Sequence, residues 1–185
     1  MARRRRFQFP PKKRILLAGE GDTDRALLRW VTRPFDDRFA FQIFDGGGGS
    51  SLHVVQTIER RLRNDRGGRR GAPDHLRRVV FLDWDIWDDN DPNCQEARRL
   101  AGTIGLDLRF FRPKVEGVLL RLHPGLETRD PPAHAVEAEL RRIWPDYRKG
   151  LAADDIAKRF TPDRIEALTD LDRGFRDFFR WLRSQ

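Results

Sequence analysis

The chain has one cysteine, Cys94. An intrachain disulfide is therefore excluded, and a reducing compartment is the default expectation. No apolar run approaches the roughly 18 residues of a membrane span. The Arg3–Arg6 run leads into Phe7-Gln-Phe9-Pro-Pro11 rather than into an apolar signal core, so the expectation is a cytoplasmic protein without a secretion signal. The other three histidines, His53, His75 and His134, show no ligand spacing with His123, which argues against zinc. Gly-Lys-Ser/Thr is missing, so the glycine run at Gly46–Gly49 is not a P-loop. No internal repeat is present.

The 185 residues fit one domain with room for a small appendage. Charged residues make up 36 % of the chain and the net charge is +8. Residues 1–80 hold 19 Lys and Arg against 9 Asp and Glu, and the remainder holds 18 against 20. A basic first half is compatible with a polyanionic partner. Arginine far outnumbers lysine throughout, which also fits a genome-wide compositional bias.

Four short apolar runs read as strands: Ile15–Ala18, Phe39–Phe44, residues 77–83 and Leu106–Phe111. Helical spacing follows each, starting at Asp22 or Thr23, at Ser50 or Ser51, at Pro92, and at Val115. Asn64–Pro73 reads as an exposed, arginine-rich loop. After His123-Pro124 the pattern turns helical over Ala133–Ile143, Ala152–Arg159 and Ile165–Leu182. The expectation is a basic tail at 1–13, an α/β domain at 14–124 with a four-stranded, mainly parallel sheet flanked by helices, and a helical extension at 125–185. Gly46–Gly49, before a helix start, is a candidate phosphate contact.

Carboxylates recur where strands end. Glu20 follows the first strand, Asp83 and Asp85 follow the third, and Glu116 follows the fourth. If the backbone of the third strand stays extended, Asp83 and Asp85 point to one side. Ligands of open α/β sheets bind at the carboxyl ends of strands. Like charges gathered there are costly unless a proton or cation neutralises them. Oxygen ligands suit Mg²⁺ or Mn²⁺, and such an ion serves chemistry on phosphate esters.

Glu20-Gly21 with Asp83-Trp84-Asp85 resembles the Toprim pattern of topoisomerases, primases and OLD-type nucleases. Glu20-Gly-Asp-Thr-Asp24 is similar to the Glu-Gly-x-Thr-Glu element of the RloB-like branch, with Asp24 in place of glutamate. Arg112-Pro-Lys-Val-Glu-Gly-Val-Leu-Leu-Arg-Leu-His123 is similar to its Pro-x-x-Glu-x-x-Leu-Leu-x-x-His element. Gly117-Val118 stands where that branch has an aromatic, and proline follows His123. The resemblance covers roughly residues 14–123. It implies a Toprim-like, Rossmann-like fold, with Glu20 as general acid/base and Asp83 and Asp85 as Mg²⁺ or Mn²⁺ ligands together with Glu20. Glu116 and His123 would complete the site. The implied activity is a DNA or RNA nuclease of a defence or mobile-element locus, acting with a partner ATPase.

Arg60, Arg61, Arg63, Arg69 and Arg70 are the candidate contacts to nucleic acid. Two other readings stand beside the nuclease. One is a non-catalytic Toprim-like module of an ATPase complex. The other is a response-regulator receiver, in which Asp83 takes the phosphoryl group and Lys114 is its counter-ion. No strand ending in Ser or Thr lies between those two residues, which counts against the receiver.

Overall fold

The computed structural model describes residues 12–68 and 75–185. Four strands form one sheet: β1 (Lys13–Gly19), β2 (Phe39–Asp45), β3 (His75–Asp83) and β4 (Asp107–Phe111). Their order is β2-β1-β3-β4, and every pairing is parallel. The central strands β1 and β3 carry continuous apolar runs, Ile15–Ala18 and Val79–Leu82, because both of their faces are covered. Ile15, Leu17, Val79 and Phe81 point to one face, while Leu16, Ala18, Val80 and Leu82 point to the other.

The first face carries α1 (Asp22–Thr32), α4 (Val115–Arg121) and the C-terminal helices α5 (Ala133–Ile143), α6 (Ala153–Arg159) and α7 (Arg173–Ser184). The second carries α2 (Ser51–Gly68) and α3 (Pro92–Ile104). Winding from β1 to β2 runs outward over one face. From β2 the chain passes back over the other face to β3 and continues to β4. The winding direction thus reverses between β1 and β3, and a crevice opens outside their carboxyl ends. Among the described residues, no helix is long and apolar enough to cross a membrane.

The extension shares one hydrophobic cluster with the sheet. Phe81 of β3 stacks on Phe111 of β4 with ring centroids 4.9 Å apart, and Phe175 and Phe178 of α7 each meet Phe81 edge-on at 5.7 Å. Two elements differ from the sequence reading. Helix α2 runs on to Gly68, so Asn64–Gly68 is helical, and an Arg63–Glu59 pair at 2.6 Å braces its last turns. Residues 69–74 and the tail at 1–11 lie outside the described residues. The segment read as one helix over Ile165–Leu182 is instead 3₁₀ turns at Pro162–Ala167 and Asp170–Asp172, followed by α7.

That break delivers Asp172 to Arg121. Both side chains are fully buried, and the guanidinium grips the carboxylate in a fork, Nε to Oδ2 at 2.5 Å and Nη2 to Oδ1 at 2.6 Å. Arg121 also donates to the carbonyls of Arg129, at 3.0 Å, and of Arg112. One side chain of α4 thereby ties the strand-4 turn, the following loop and the entry to α7. Removing one partner leaves the other charge buried and unpaired, at about 3–5 kcal/mol. Arg121→Ala should therefore lower the thermal midpoint by roughly 6–20 °C. Circular dichroism melting checks this, and an unchanged midpoint would contradict the clamp.

Candidate metal centre

Glu20 sits directly after β1, and its Oε1 accepts the backbone N–H of Asp83 at 2.8 Å. The hydrogen bond spans the crevice between β1 and β3. Asp83 ends β3, and its Oδ1 accepts the Val115 N–H at the start of α4, at 3.0 Å. Asp24 lies in the first turn of α1. It folds back beneath the strand end, and its Oδ2 accepts the Gly21 N–H at 2.7 Å. Gly19 makes room for this, since a Cβ there would lie 2.2 Å from the Asp24 Cβ. Glu116, in the first turn of α4, is 4 % exposed, and Tyr147 donates its hydroxyl to Oε1 at 2.9 Å. Gly117 beside it permits a close approach, because a Cβ would lie 2.4 Å from the Arg112 carbonyl oxygen.

Asp85 reaches the same place by a different route from the one its spacing implies. The strand does not continue past Asp83. Trp84–Ile86 forms a 3₁₀ turn, and the Asp85 N–H donates to the Pro113 carbonyl at 3.0 Å. Glu20, Asp24, Asp83, Asp85 and Glu116 line one cleft of about 480 Å³. Lys114 and Lys149 line it as well. The loop between α5 and α6 closes one wall, where the Gly150 N–H donates to Thr23 Oγ1 at 3.0 Å beside Tyr147.

Burial sets the electrostatics of this cleft. It lifts the Glu20 carboxyl to about 8, with the charges of Asp83 and Asp85 adding to the rise and the Asp83 amide opposing it. Burial also raises Asp83, and the charges of Asp24, Glu116 and Asp85 push the same way. Asp24 is raised by burial and by Glu20 and Glu116, against the pull of the Gly21 amide. Tyr147 is held neutral, by burial first and then by the charge of Glu116.

One oxygen of each of Glu20, Asp24 and Asp83 is turned to a main-chain amide. Among the described residues, no three His, Cys, Asp or Glu side chains are grouped tightly enough to grip an ion as they stand. The chemistry of the donors nevertheless fits a hard divalent cation. All are carboxylate oxygens, and Asp24 Oδ1 is buried with no hydrogen-bond partner.

The remaining sequence-derived candidates fall elsewhere. His123 does not line the cleft. It is buried against Phe160 and Trp144, with Nδ1 at the Leu119 carbonyl and Nε2 accepting from Arg159 Nε at 2.8 Å. Those contacts assign the neutral tautomer with its proton on Nδ1, and burial lowers its pKa. Arg60, Arg61 and Arg63 are exposed on the second half of α2. That helix starts at the cleft edge, so Arg61 lies about 15 Å along its axis from that edge. Arg69 and Arg70 lie outside the described residues. The glycine run is occupied by the protein itself: Gly46 donates to the Gly19 carbonyl, Gly48 to the Glu20 carbonyl and Gly47 to Asp45 Oδ1, each at 2.8 Å. These amides brace the Glu20 turn.

Comparison with protein-family models, curated proteins and solved structures finds no match.

Asp24 and Lys149 line the cleft, and Tyr147 joins it through Glu116, without having been singled out as site residues from the sequence. Asp24 had a signal, a carboxylate four residues after Glu20 at a helix start. Tyr147 and Lys149 had none, because their loop is brought over the cleft only by the packing of α5 and α6.

The raised carboxyls give a signed pH dependence. A carboxyl whose folded value lies above its unfolded one favours folding fully below the unfolded value and loses that contribution as pH rises through the folded value. For Glu20 this window runs from 4.5 to about 8. Asp83→Asn should therefore stabilise the cation-free protein at pH 8.5, on the order of 2 kcal/mol or about 5 °C, and have little effect at pH 4.5. Thermal melts of both proteins at both pH values check this. Equal midpoints at pH 8.5 would contradict the repulsive cluster.

Proposed function

We propose that this chain is a metal-dependent phosphoesterase of the Toprim type, cutting DNA or RNA with Mg²⁺ or Mn²⁺ at the cleft between β1 and β3. The observation that carries the reading is the gathering of Glu20, Asp24, Asp83, Asp85 and Glu116 around one cleft in which burial and mutual repulsion raise three of the five carboxyls. Natural folds keep such a costly cluster where a cation or a proton transfer uses it. The Toprim resemblance of Glu20-Gly21 and Asp83-Trp84-Asp85 agrees with it, since these elements meet at the switch point.

In this reading Asp83, Asp85 and Glu20 hold the ion, with Asp24 beside them. A bound Mg²⁺ or Mn²⁺ supplies positive charge against the phosphate oxygens and acidifies a water. The Glu20 carboxyl is raised to about 8 in the cation-free cleft and is the group placed to move a proton; a bound cation would offset that rise, so activity should depend jointly on pH and metal. The Asp83 N–H fixes the orientation of that carboxyl. Tyr147 holds Glu116 in place from the opposite wall. Lys114 and Lys149 offer cationic groups to a phosphate entering the cleft.

Cleavage of single- and double-stranded DNA and RNA should be measured with each metal, using the chain alone and together with any ATPase encoded beside it. Glu20→Gln and Asp83→Asn should each slow cleavage by roughly 100-fold or more while the thermal midpoint is kept or raised. Absence of cleavage under every condition, or a Glu20→Gln protein as fast as the parent, would contradict the enzyme and favour a non-catalytic module of an ATPase complex.

A further inference from the structure

A second groove of about 390 Å³ adjoins the carboxylate cleft and shares Asp22 and Gly150 with it. Arg25 and Arg29 of α1 form one wall, and Leu151, Ala152 and Ala153 form the other. Arg33 follows at the same spacing. Helical backbone continues through it, and its guanidinium meets Asp154 of α6 at 2.5 Å beyond the groove. Arg25, Arg29 and Arg33 are exposed, whereas most of the helix between them is buried in the core. Residues four apart stand on one helix face about 6 Å apart along the axis. The row thus starts beside the cleft and leads away from it in steps suited to consecutive phosphates of an extended strand.

The pairing of these arginines differs along the row. Arg25 lies 2.9 Å from Asp22 and 3.7 Å from Asp45, both exposed enough to exchange partners. Among the described residues, Arg29 has no carboxylate partner. A cation in the last turn of a helix also interacts favourably with the helix dipole, which accounts for Arg29 alone. It does not account for a row of three, two of which border a groove that adjoins the carboxylate cleft.

We infer that Arg25, Arg29 and Arg33 form the track along which a single-stranded nucleic acid leaves the cleft, one phosphate to each guanidinium. The inference rests on the nuclease reading and assigns its substrate a path over α1. This is the opposite face of the sheet from Arg60, Arg61 and Arg63 on α2. A positive groove that follows the backbone is the general device for binding single strands without reading sequence.

The test is equilibrium binding, so that it does not depend on cleavage. A fluorescent single-stranded 12-nucleotide DNA is titrated with the parent, with a triple Ala variant at Arg25, Arg29 and Arg33, and with a triple Ala variant at Arg60, Arg61 and Arg63. Chelator is present, and salt is varied. The α1 variant should bind at least 10-fold more weakly at low salt, and its logarithmic salt slope should be shallower by about 2, at roughly 0.7 per phosphate. The α2 variant should match the parent. Equal loss in both variants overturns the track in favour of a diffuse basic surface. Loss confined to the α2 variant overturns it as well, and in both cases the cleft chemistry stands. No binding by the parent overturns the track together with the nucleic-acid substrate. Circular dichroism of each variant confirms that the fold is retained.

Discussion

Five carboxylates share one end of a parallel sheet, and the parts around them hold them there against their own repulsion. Main-chain amides are the principal restraint. The Asp83 N–H takes Glu20, the Val115 N–H takes Asp83 and the Gly21 N–H takes Asp24. Each bond favours the charged form of its acceptor, yet burial outweighs it and the carboxyls remain raised. Glycine provides the space. Gly19 lets Asp24 tuck under the end of β1, and Gly117 lets the first turn of α4 press on the Arg112 carbonyl. The arrangement costs folding free energy while no cation is bound, which is the usual trade at sites built for chemistry rather than stability.

The extension belongs to this account as much as the sheet does. Lys149 and Gly150 line the cleft from the loop between α5 and α6, and Tyr147 of the same loop supports Glu116. Phe175 and Phe178 seat α7 on β3, the strand that presents Asp83. Arg121 lies five residues after Glu116 on α4 and fastens that helix to Asp172. The extension therefore meets the cleft in three ways: through the Tyr147 hydrogen bond to Glu116, through the packing of α7 and through a buried ion pair.

Much of the architecture was legible because period and punctuation agreed. Val79–Leu82 reads as a strand covered on both faces, and the β/α alternation led to parallel pairing. Glu20, Asp83 and Glu116 were legible as residues at strand ends, since topology alone brings such positions to one edge. Asp85 was found for an incomplete reason: its place follows from a 3₁₀ turn held by Pro113, not from strand alternation. The break at Thr169–Asp172 was hidden because apolar spacing continues across it, while the force that bends the chain is a distant partner, Arg121. His123 matched a motif, but its ring nitrogens meet Leu119 and Arg159 in the core. Charge density in sequence does not tell which face of a sheet a helix covers: the arginines of α2 lie over one face and those of α1 over the other.

The raised carboxyls of the cleft hold protons near neutral pH, and the proposed cation would displace them. Isothermal calorimetry with Mg²⁺ or Mn²⁺ at pH 7, repeated in buffers of different ionisation enthalpy, counts those protons directly. The account predicts saturable binding with release of about one proton or more per ion, abolished by Asp83→Asn. Binding without proton release, or no binding by the parent protein with either metal, would contradict it.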